Sequence, residues 1–266
     1  MNRRTPRMFA ATGLVILWIG NGLASGQTAA AKIPRMTDGK PNLNGIWETL
    51  STANWDLQDH SAYAGPMWEM GAIVAVPAGQ GVAEGGLIPY LPAAAEKRKQ
   101  NFAARRSADP EAKCYLPGIP RATYLPYPFQ IVQSRDILFV YEYATANREV
   151  NMGKPREAGA DSWMGTSNGR WEGATLVVDV TGLNGKAWLD RAGDFSSDGL
   201  HVVERYTLTD PDHIAYEATM EDPKVFARPW KMHLTLYRRV EKGFQLLEFK
   251  CVPFAEELLY GDLRKH

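Results

Sequence analysis

The sequence predicts an all-β fold, an antiparallel β-barrel with one short helix and long N-terminal loops. The chain of 266 residues contains 24 glycines and 17 prolines, a content that favours turns and strands over long helices. Runs of alternating, aromatic and β-branched residues recur through its second half, with short turns between them. Such turns imply antiparallel hairpins, which close most easily as a barrel or stack as a sandwich.

The predicted elements follow one another along the chain. The segment Asn44-Gly45-Ile46-Trp47 is expected on the first strand. The clear helix covers Pro92 to Ala108, with Pro92 near its first turn and Pro110 after its end. The segment Gly165–Gly169 matches Gly-x-Ser-x-Gly, but no helix pattern follows, so it is predicted to be a turn without a nucleophile. Further strands are predicted at 73–76, 87–90, 129–133, 137–143, 175–180, 201–208, 213–220, 230–240 and 244–249.

The N-terminus has the pattern of a secretory signal. Arg3, Arg4 and Arg7 precede an apolar stretch at 8–19, and small residues at 24–26 offer a cleavage site. The apolar stretch is too short for a stable membrane span. We therefore expect a signal peptide at 1–26, a single β-barrel domain at 27–266, and a periplasmic or secreted protein. In such a compartment Cys114 and Cys251 are expected to form a disulfide, the alternative being two buried free thiols.

Charge and motifs narrow the classes of partner. Thirty basic residues balance thirty acidic ones, which argues against a nucleic-acid partner. The chain has no phosphate-cradling loop and no dinucleotide fingerprint, so no cofactor is expected. Its five histidines are dispersed, without the close spacing of metal ligands, and no metal is predicted.

The glycine-rich run from 163 to 206 is the best candidate for a ligand pocket. Trp163, Trp171 and Trp188 lie in predicted turns, where large rings suit the mouth of a barrel and an apolar or aromatic guest. Arg170 and Tyr216 are expected to line the same pocket.

Glu204 is the most unusual residue of the predicted strands. Side chains alternate along a strand, so Glu204 shares a face with the apolar Val202 and Tyr206. A carboxylate there either forms an ion pair, for instance with Arg170 or Arg228, or has a raised pKa that suits a general acid or base. His201 falls on the opposite face unless a β-bulge intervenes.

These observations give a set of candidate catalytic residues. Glu204 is the candidate base and His201 its partner or proton shuttle. Arg205 or Arg170 is the candidate anion stabiliser, and Asp190 a secondary acid.

The sequence also resembles a family of secreted, largely uncharacterised bacterial proteins. The resemblance implies a lipocalin-like β-barrel, and it supplies no catalytic roles. Relatives often end with Cys-His-Glu-Gly-Asn, whereas Cys251 is followed here by Val-Pro-Phe, which implies a divergent specificity or chemistry. The segments that carry the resemblance are PRMTDGKPNLNGIW, CYLPGIPR, PFQIVQ, WMGTSNGRWEGATLVVDVTGLN, WLDRAG, LHVVERY and YEATMEDPKVFARPW.

Together these features predict an exported β-barrel enzyme. Its expected chemistry is cofactor-independent acid–base catalysis, as a lyase, isomerase or hydrolase, on a small apolar or aromatic molecule. The alternative is a non-catalytic periplasmic binding protein for a hydrophobic ligand, which needs the same barrel but turns nothing over. A third reading, an envelope structural protein, predicts no internal cavity.

Overall fold

The computed structural model describes residues 32–265 and contains a closed β-barrel, which confirms the predicted all-β barrel class. Each strand lies beside its neighbour in the chain, and the last strand pairs with the first. All neighbours are antiparallel except β4 and β5, which are parallel over a short overlap. The described strands are β1 (Gly45–Thr49), β2 (Phe129–Gln133), β3 (Ile137–Tyr141), β4 (Asn147–Asn151), β5 (Thr166–Glu172), β6 (Thr175–Thr181), β7 (His201–Asp210), β8 (His213–Glu221) and β9 (Trp230–Arg238).

Helices are few in the described part of the chain. The predicted helix is present with the expected bounds as α1 (Pro92–Ala108). Its buried Asn101 donates a hydrogen bond to the carbonyl of Gly193 at 3.1 Å, so α1 packs against the connection between β6 and β7. The other helices are α2 (Arg121–Tyr124) and α3 (Ala255–Tyr260), with 3-10 turns at Trp68–Val74, Glu111–Lys113, Tyr143–Thr145 and Gly261–Lys265.

Some predicted strands are absent, and the closure of the barrel explains the clearest case. The strand predicted at 244–249 is wrong: β1 and β9 pair with each other, so no free edge remains for a tenth strand. The strands predicted at 73–76 and 87–90 are also wrong. A 3-10 turn that ends at Val74 covers the first half of 73–76, and both regions contain only isolated bridges. Strand β4 was not predicted.

The structure also differs from the prediction at residues 165–169. The predicted turn is largely strand, because β5 runs over Thr166–Glu172 and includes Trp171. Gly169 allows β4 to approach closely: a Cβ there would lie 2.6 Å from Cγ1 of Val150 and 2.4 Å from Sδ of Met152. The glycines of this run therefore serve strand packing as well as turns.

The barrel interior follows the predicted alternation. The even-numbered residues of β6, and those of β7 up to Leu208, are buried, and the odd-numbered ones mostly lie half-exposed on the outside. Glu204 is among the buried ones, as expected. The buried apolar side chains of β6 to β9 include Leu176, Val178, Val180, Val202, Tyr206, Leu208, Ile214, Tyr216, Ala218, Met220, Trp230, Met232, Leu234 and Leu236.

Cys114 and Cys251 form a disulfide, which confirms the predicted pairing over two free thiols. The link fastens the C-terminal segment, which follows β9, to the chain just after α1. No helix within residues 32–265 is long and apolar enough to cross a membrane. The predicted signal peptide lies outside the described residues.

Candidate functional site

Glu204 lies inside the barrel in an ion pair. Its carboxylate bonds to Arg148 of β4 through Oε2. Oε1 accepts hydrogen bonds from the hydroxyls of Tyr206 at 2.9 Å and Tyr216 at 2.8 Å. Arg148 also donates from Nε to the hydroxyl of Ser167 at 2.8 Å. The ion-pair alternative for Glu204 therefore holds, with Arg148 as the partner in place of Arg170 or Arg228.

This network leaves Glu204 little freedom to exchange protons with a substrate. Burial, followed by the charge of Glu204, raises the pKa of Tyr206 and Tyr216 well above the usual value, so both phenols remain protonated donors. Both carboxylate oxygens are engaged by neighbours that are themselves buried. A carboxylate so enclosed is typical of a structural charge pair.

The other predicted catalytic side chains of β7 lie on the outer face. His201 places Nε2 3.1 Å from Asp179, and its side chain is 37% exposed. Arg205 and Arg170 both bond to Glu172. Pairing with β8 is regular along this stretch and shifts only after Leu208, so no bulge brings His201 to the face of Glu204. Tyr216, a predicted pocket residue, joins Glu204 instead.

The three tryptophans do not form one aromatic mouth. Trp163 stacks on Tyr115 with ring centroids 5.0 Å apart, whereas Trp171 lies in β5 with the ammonium of Lys40 5.9 Å from its ring. Trp163 and the buried Trp188 share a cavity of about 10 Å³. That volume is at the lower limit for one water molecule, so it has no room for an aromatic guest.

Asp190 belongs to a separate cluster of three buried carboxylates. Asp56 comes from the long connection after β1, whereas Asp190 and Asp194 come from the connection between β6 and β7. Asp190 accepts backbone N–H bonds from Leu57 and from Asp194, each at 2.9 Å. The bond from Leu57 joins two connections across a separation of 133 residues in the chain.

Three donors surround Asp194, and one of them also reaches Asp56. Oδ1 of Asp194 accepts from Gln58 at 3.0 Å, from the hydroxyl of Tyr90 at 2.9 Å and from Nε of Arg98 at 3.3 Å. A second nitrogen of Arg98 lies 3.4 Å from Asp56. A single guanidinium thus faces three carboxylates.

One guanidinium cannot neutralise this cluster, and the pKa values rise accordingly. Burial, then the charge of Asp194 and a hydrogen bond with it, raises the pKa of Asp190 well above its ordinary value. Burial, then the charge of Asp194, raises the pKa of Asp56 to about 6, although the N–H of Gln58 and the charge of Arg98 oppose the rise. The cluster therefore holds protons close to neutral pH.

The same three residues are the candidates for holding a metal ion. Their oxygens lie within 4.8 Å of one another, a span that one cation can bridge. Arg98, however, already contacts Asp56 and Asp194. Oδ2 of Asp194 is buried and has no hydrogen-bond partner among residues 32–265. Because burial raises the pKa of both Asp56 and Asp190, we interpret the cluster as neutralised by a guanidinium and protons.

Asp56 lines an open cleft of about 320 Å³. Tyr63, Leu87 and Phe102 give the cleft apolar and aromatic walls. His60 lines it too: its Nδ1 lies 3.2 Å from the carbonyl of Ser61, and its buried Nε2 has no hydrogen-bond partner among residues 32–265. Donation from Nδ1 leaves Nε2 as a proton acceptor.

Sequence reasoning missed most of this cleft. Asp56, His60 and Arg98 were not singled out, because they lie on a loop and a helix face without strand periodicity. The signal that could have found them is the run from Asn54 to His60, which is rich in polar groups within an irregular region. Polar side chains on loops that a rigid scaffold positions often carry function.

Comparisons of this chain with protein-family models, with curated proteins and with solved structures matched nothing.

Proposed function

We propose that this chain is an exported β-barrel enzyme that performs cofactor-independent acid–base chemistry on a small apolar or aromatic molecule, as a lyase, isomerase or hydrolase. The reaction takes place in the cleft of Asp56. One observation carries the proposal: a carboxyl with a pKa of about 6, its side chain only 2% exposed, lines a cleft with aromatic walls, whereas none of the cavities described above is lined by Glu204. A group that titrates near the working pH is the most effective general base or acid.

The cleft supplies a role for each polar neighbour. Asp56 takes a proton from the substrate and returns it, and His60, whose Nε2 is buried, lines the same cleft. Arg98, which contacts both Asp56 and Asp194, holds the carboxyl of Asp56 in position. Burial keeps the pKa of Asp56 high, and the neighbouring charge of Asp194 raises it further.

The rings favour an aromatic or apolar substrate. Phe102 and Tyr63 pack edge to face with centroids 5.2 Å apart, and Leu87 is 65% exposed. Binding of an apolar molecule to such surfaces is favourable, because it removes apolar area from water. In this proposal Glu204 stabilises the barrel, and His201 and Arg205 have no part in the chemistry.

Export and the lipocalin-like assignment are parts of the same proposal. The disulfide supports an oxidising compartment, the periplasm or the outside of the cell, because such links rarely persist in the cytosol. The up-and-down order of the strands supports a lipocalin-like barrel, from which the parallel contact of β4 and β5 is a departure.

The proposal names a class of substrate and no single compound, so the test detects proton transfer directly. Small aromatic ketones, esters and hydroxy acids are incubated with the mature protein in D2O, and proton NMR records deuterium incorporation and new products. Asp56→Asn is expected to slow turnover by at least about a hundredfold. Asp161→Asn is the matched control, because Asp161 is exposed and outside the cleft.

Equal rates in the wild type and Asp56→Asn would remove Asp56 from the mechanism. Tight stoichiometric binding of a compound that never changes would instead favour the non-catalytic binding protein.

A further inference from the structure

A second cavity is lined by part of the C-terminal segment and by Arg105. Its volume is about 330 Å³, within the lower range of small-molecule sites. The end of α1, the chain around Glu111 and residues 249–257 surround it. None of the residues proposed above for acid–base chemistry lines it.

Three aromatic rings form one wall of this cavity. The centroid of the Phe249 ring lies 4.9 Å from that of Tyr127 and 5.0 Å from that of Tyr143. The two tyrosine rings are 5.7 Å apart. The cluster offers both ring faces and edges, the geometry that a further aromatic ring prefers.

Most charges around the cavity are matched. Arg106 pairs with Glu257 at 2.8 Å, and Arg191 pairs with Glu256 at 2.8 Å and with Glu111 at 3.7 Å. These guanidinium groups are therefore already neutralised.

Lys250 and Arg105 also line the cavity and form no ion pair within residues 32–265, and Lys250 is exposed. Arg105 is half-buried. Its two terminal nitrogens donate to the backbone carbonyls of Phe102 at 2.8 Å and Ala64 at 2.7 Å. Its Nε is buried and has no hydrogen-bond partner, and no carboxylate among residues 32–265 pairs with it. Burial without a counter-charge lowers the pKa of Arg105, which marks a cation that an anion would stabilise.

The C-terminal segment closes the cavity. The disulfide between Cys251 and Cys114 anchors it, and the N–H of Phe254 bonds to the carbonyl of Ala112 at 2.8 Å. The wall that carries Phe249 is thus fixed to the chain that follows α1. A site held in place before the ligand arrives loses less entropy on binding.

We propose that this cavity is a binding site for a small aromatic carboxylate. The ring of the ligand packs against Tyr127, Tyr143 and Phe249, and its carboxylate neutralises Arg105. This site is separate from the cleft of Asp56, and its occupancy does not depend on the proposed acid–base activity.

The test compares two probes of the same shape. 3-Phenylpropionate and its neutral amide are titrated calorimetrically into the mature, oxidised protein. The acid is expected to bind at least about tenfold more tightly than the amide, since a charge-assisted hydrogen bond contributes more than a neutral one. Arg105→Gln removes this preference, whereas Arg156→Gln, a change of the exposed partner of Glu149, leaves it intact.

Equal affinities for acid and amide, no binding of the acid, or an unchanged preference in Arg105→Gln would overturn the proposal. If Arg105→Gln does not fold, nuclear Overhauser effects between the ligand and the wild-type protein provide the test. Contacts from the ligand ring to Tyr127 and Phe249 support the site. Contacts to Tyr63 and Phe102 place the ligand in the other cleft and overturn it.

Discussion

Arg148 and Glu204 form an ion pair inside the barrel, with exposures of only 3% and 0%. The pair joins β4 to β7 across the interior. This contact matters for β4, because the parallel pairing of β4 with β5 is short and involves only Val150 and Asn151 of β4. Buried pairs of this kind depend on both partners, since each charge is costly to leave alone in a medium of low polarity.

Replacing Glu204 by the nearly isosteric glutamine is therefore expected to destabilise the fold. The change leaves the charge of Arg148 buried and unpaired, which costs about 3–5 kcal/mol of unfolding free energy. Urea unfolding followed by circular dichroism measures the loss.

Glu172→Gln provides the matched comparison, since Glu172 pairs with Arg170 and Arg205 in half-exposed positions. Its cost should be much smaller than that of Glu204→Gln, because exposed ion pairs contribute little to stability. Similar losses in the two variants would contradict a structural role specific to the buried pair.

The barrel and the position of Glu204 were predictable because both depend on local periodicity. An alternation of two fixes which side chains face inward, and short turns fix which strands are neighbours. Arg148 was not predicted because the sequence of β4, Asn-Arg-Glu-Val-Asn, is mostly polar and shows no clear alternation of polar and apolar residues. Asp56 and Asp190 meet only because two long connections fold against each other, and no local pattern encodes that contact.

Stability is expected to fall as pH rises through neutrality, because Asp56 binds its proton more tightly in the folded state. Its pKa rises from 3.8 to about 6 on folding. The folded state keeps this proton between those pH values while the unfolded state releases it, so the unfolding free energy decreases as pH increases. A rise of about two pKa units corresponds to about 3 kcal/mol between pH 4 and 7.

Asp56→Asn is expected to flatten this dependence, since asparagine mimics the protonated carboxyl and does not titrate. Urea midpoints from pH 4 to 7.5 for the two proteins provide the measurement. Asp190, whose pKa is also raised, leaves a residual slope in the variant. Identical slopes in wild type and variant would show that Asp56 ionises in the folded state as freely as in the unfolded one.

The catalytic efficiency, kcat/KM, is expected to rise with pH, whereas the unfolding free energy falls. If Asp56 is the base, only its ionised form reacts, so kcat/KM rises through pH about 6 and levels off above it. Below that point the rate should fall about tenfold for each pH unit. Measurement of kcat/KM from pH 4.5 to 8 tests this, and a profile that is flat across pH 6 would exclude Asp56 as the titrating base.

The disulfide should contribute strongly to stability because it closes a loop of 137 residues. The chain-entropy account puts the gain at about 4–5 kcal/mol at most. Dithiothreitol is expected to lower the urea midpoint of the wild type and to expose residues 240–254 to protease before the barrel unfolds, since this segment has no strand or helix. The double variant Cys114→Ala/Cys251→Ala should have the same low urea midpoint as the reduced wild type, both with and without dithiothreitol. A reductant-insensitive midpoint in the wild type would mean that contacts within residues 32–265 hold the C-terminal segment without the covalent link.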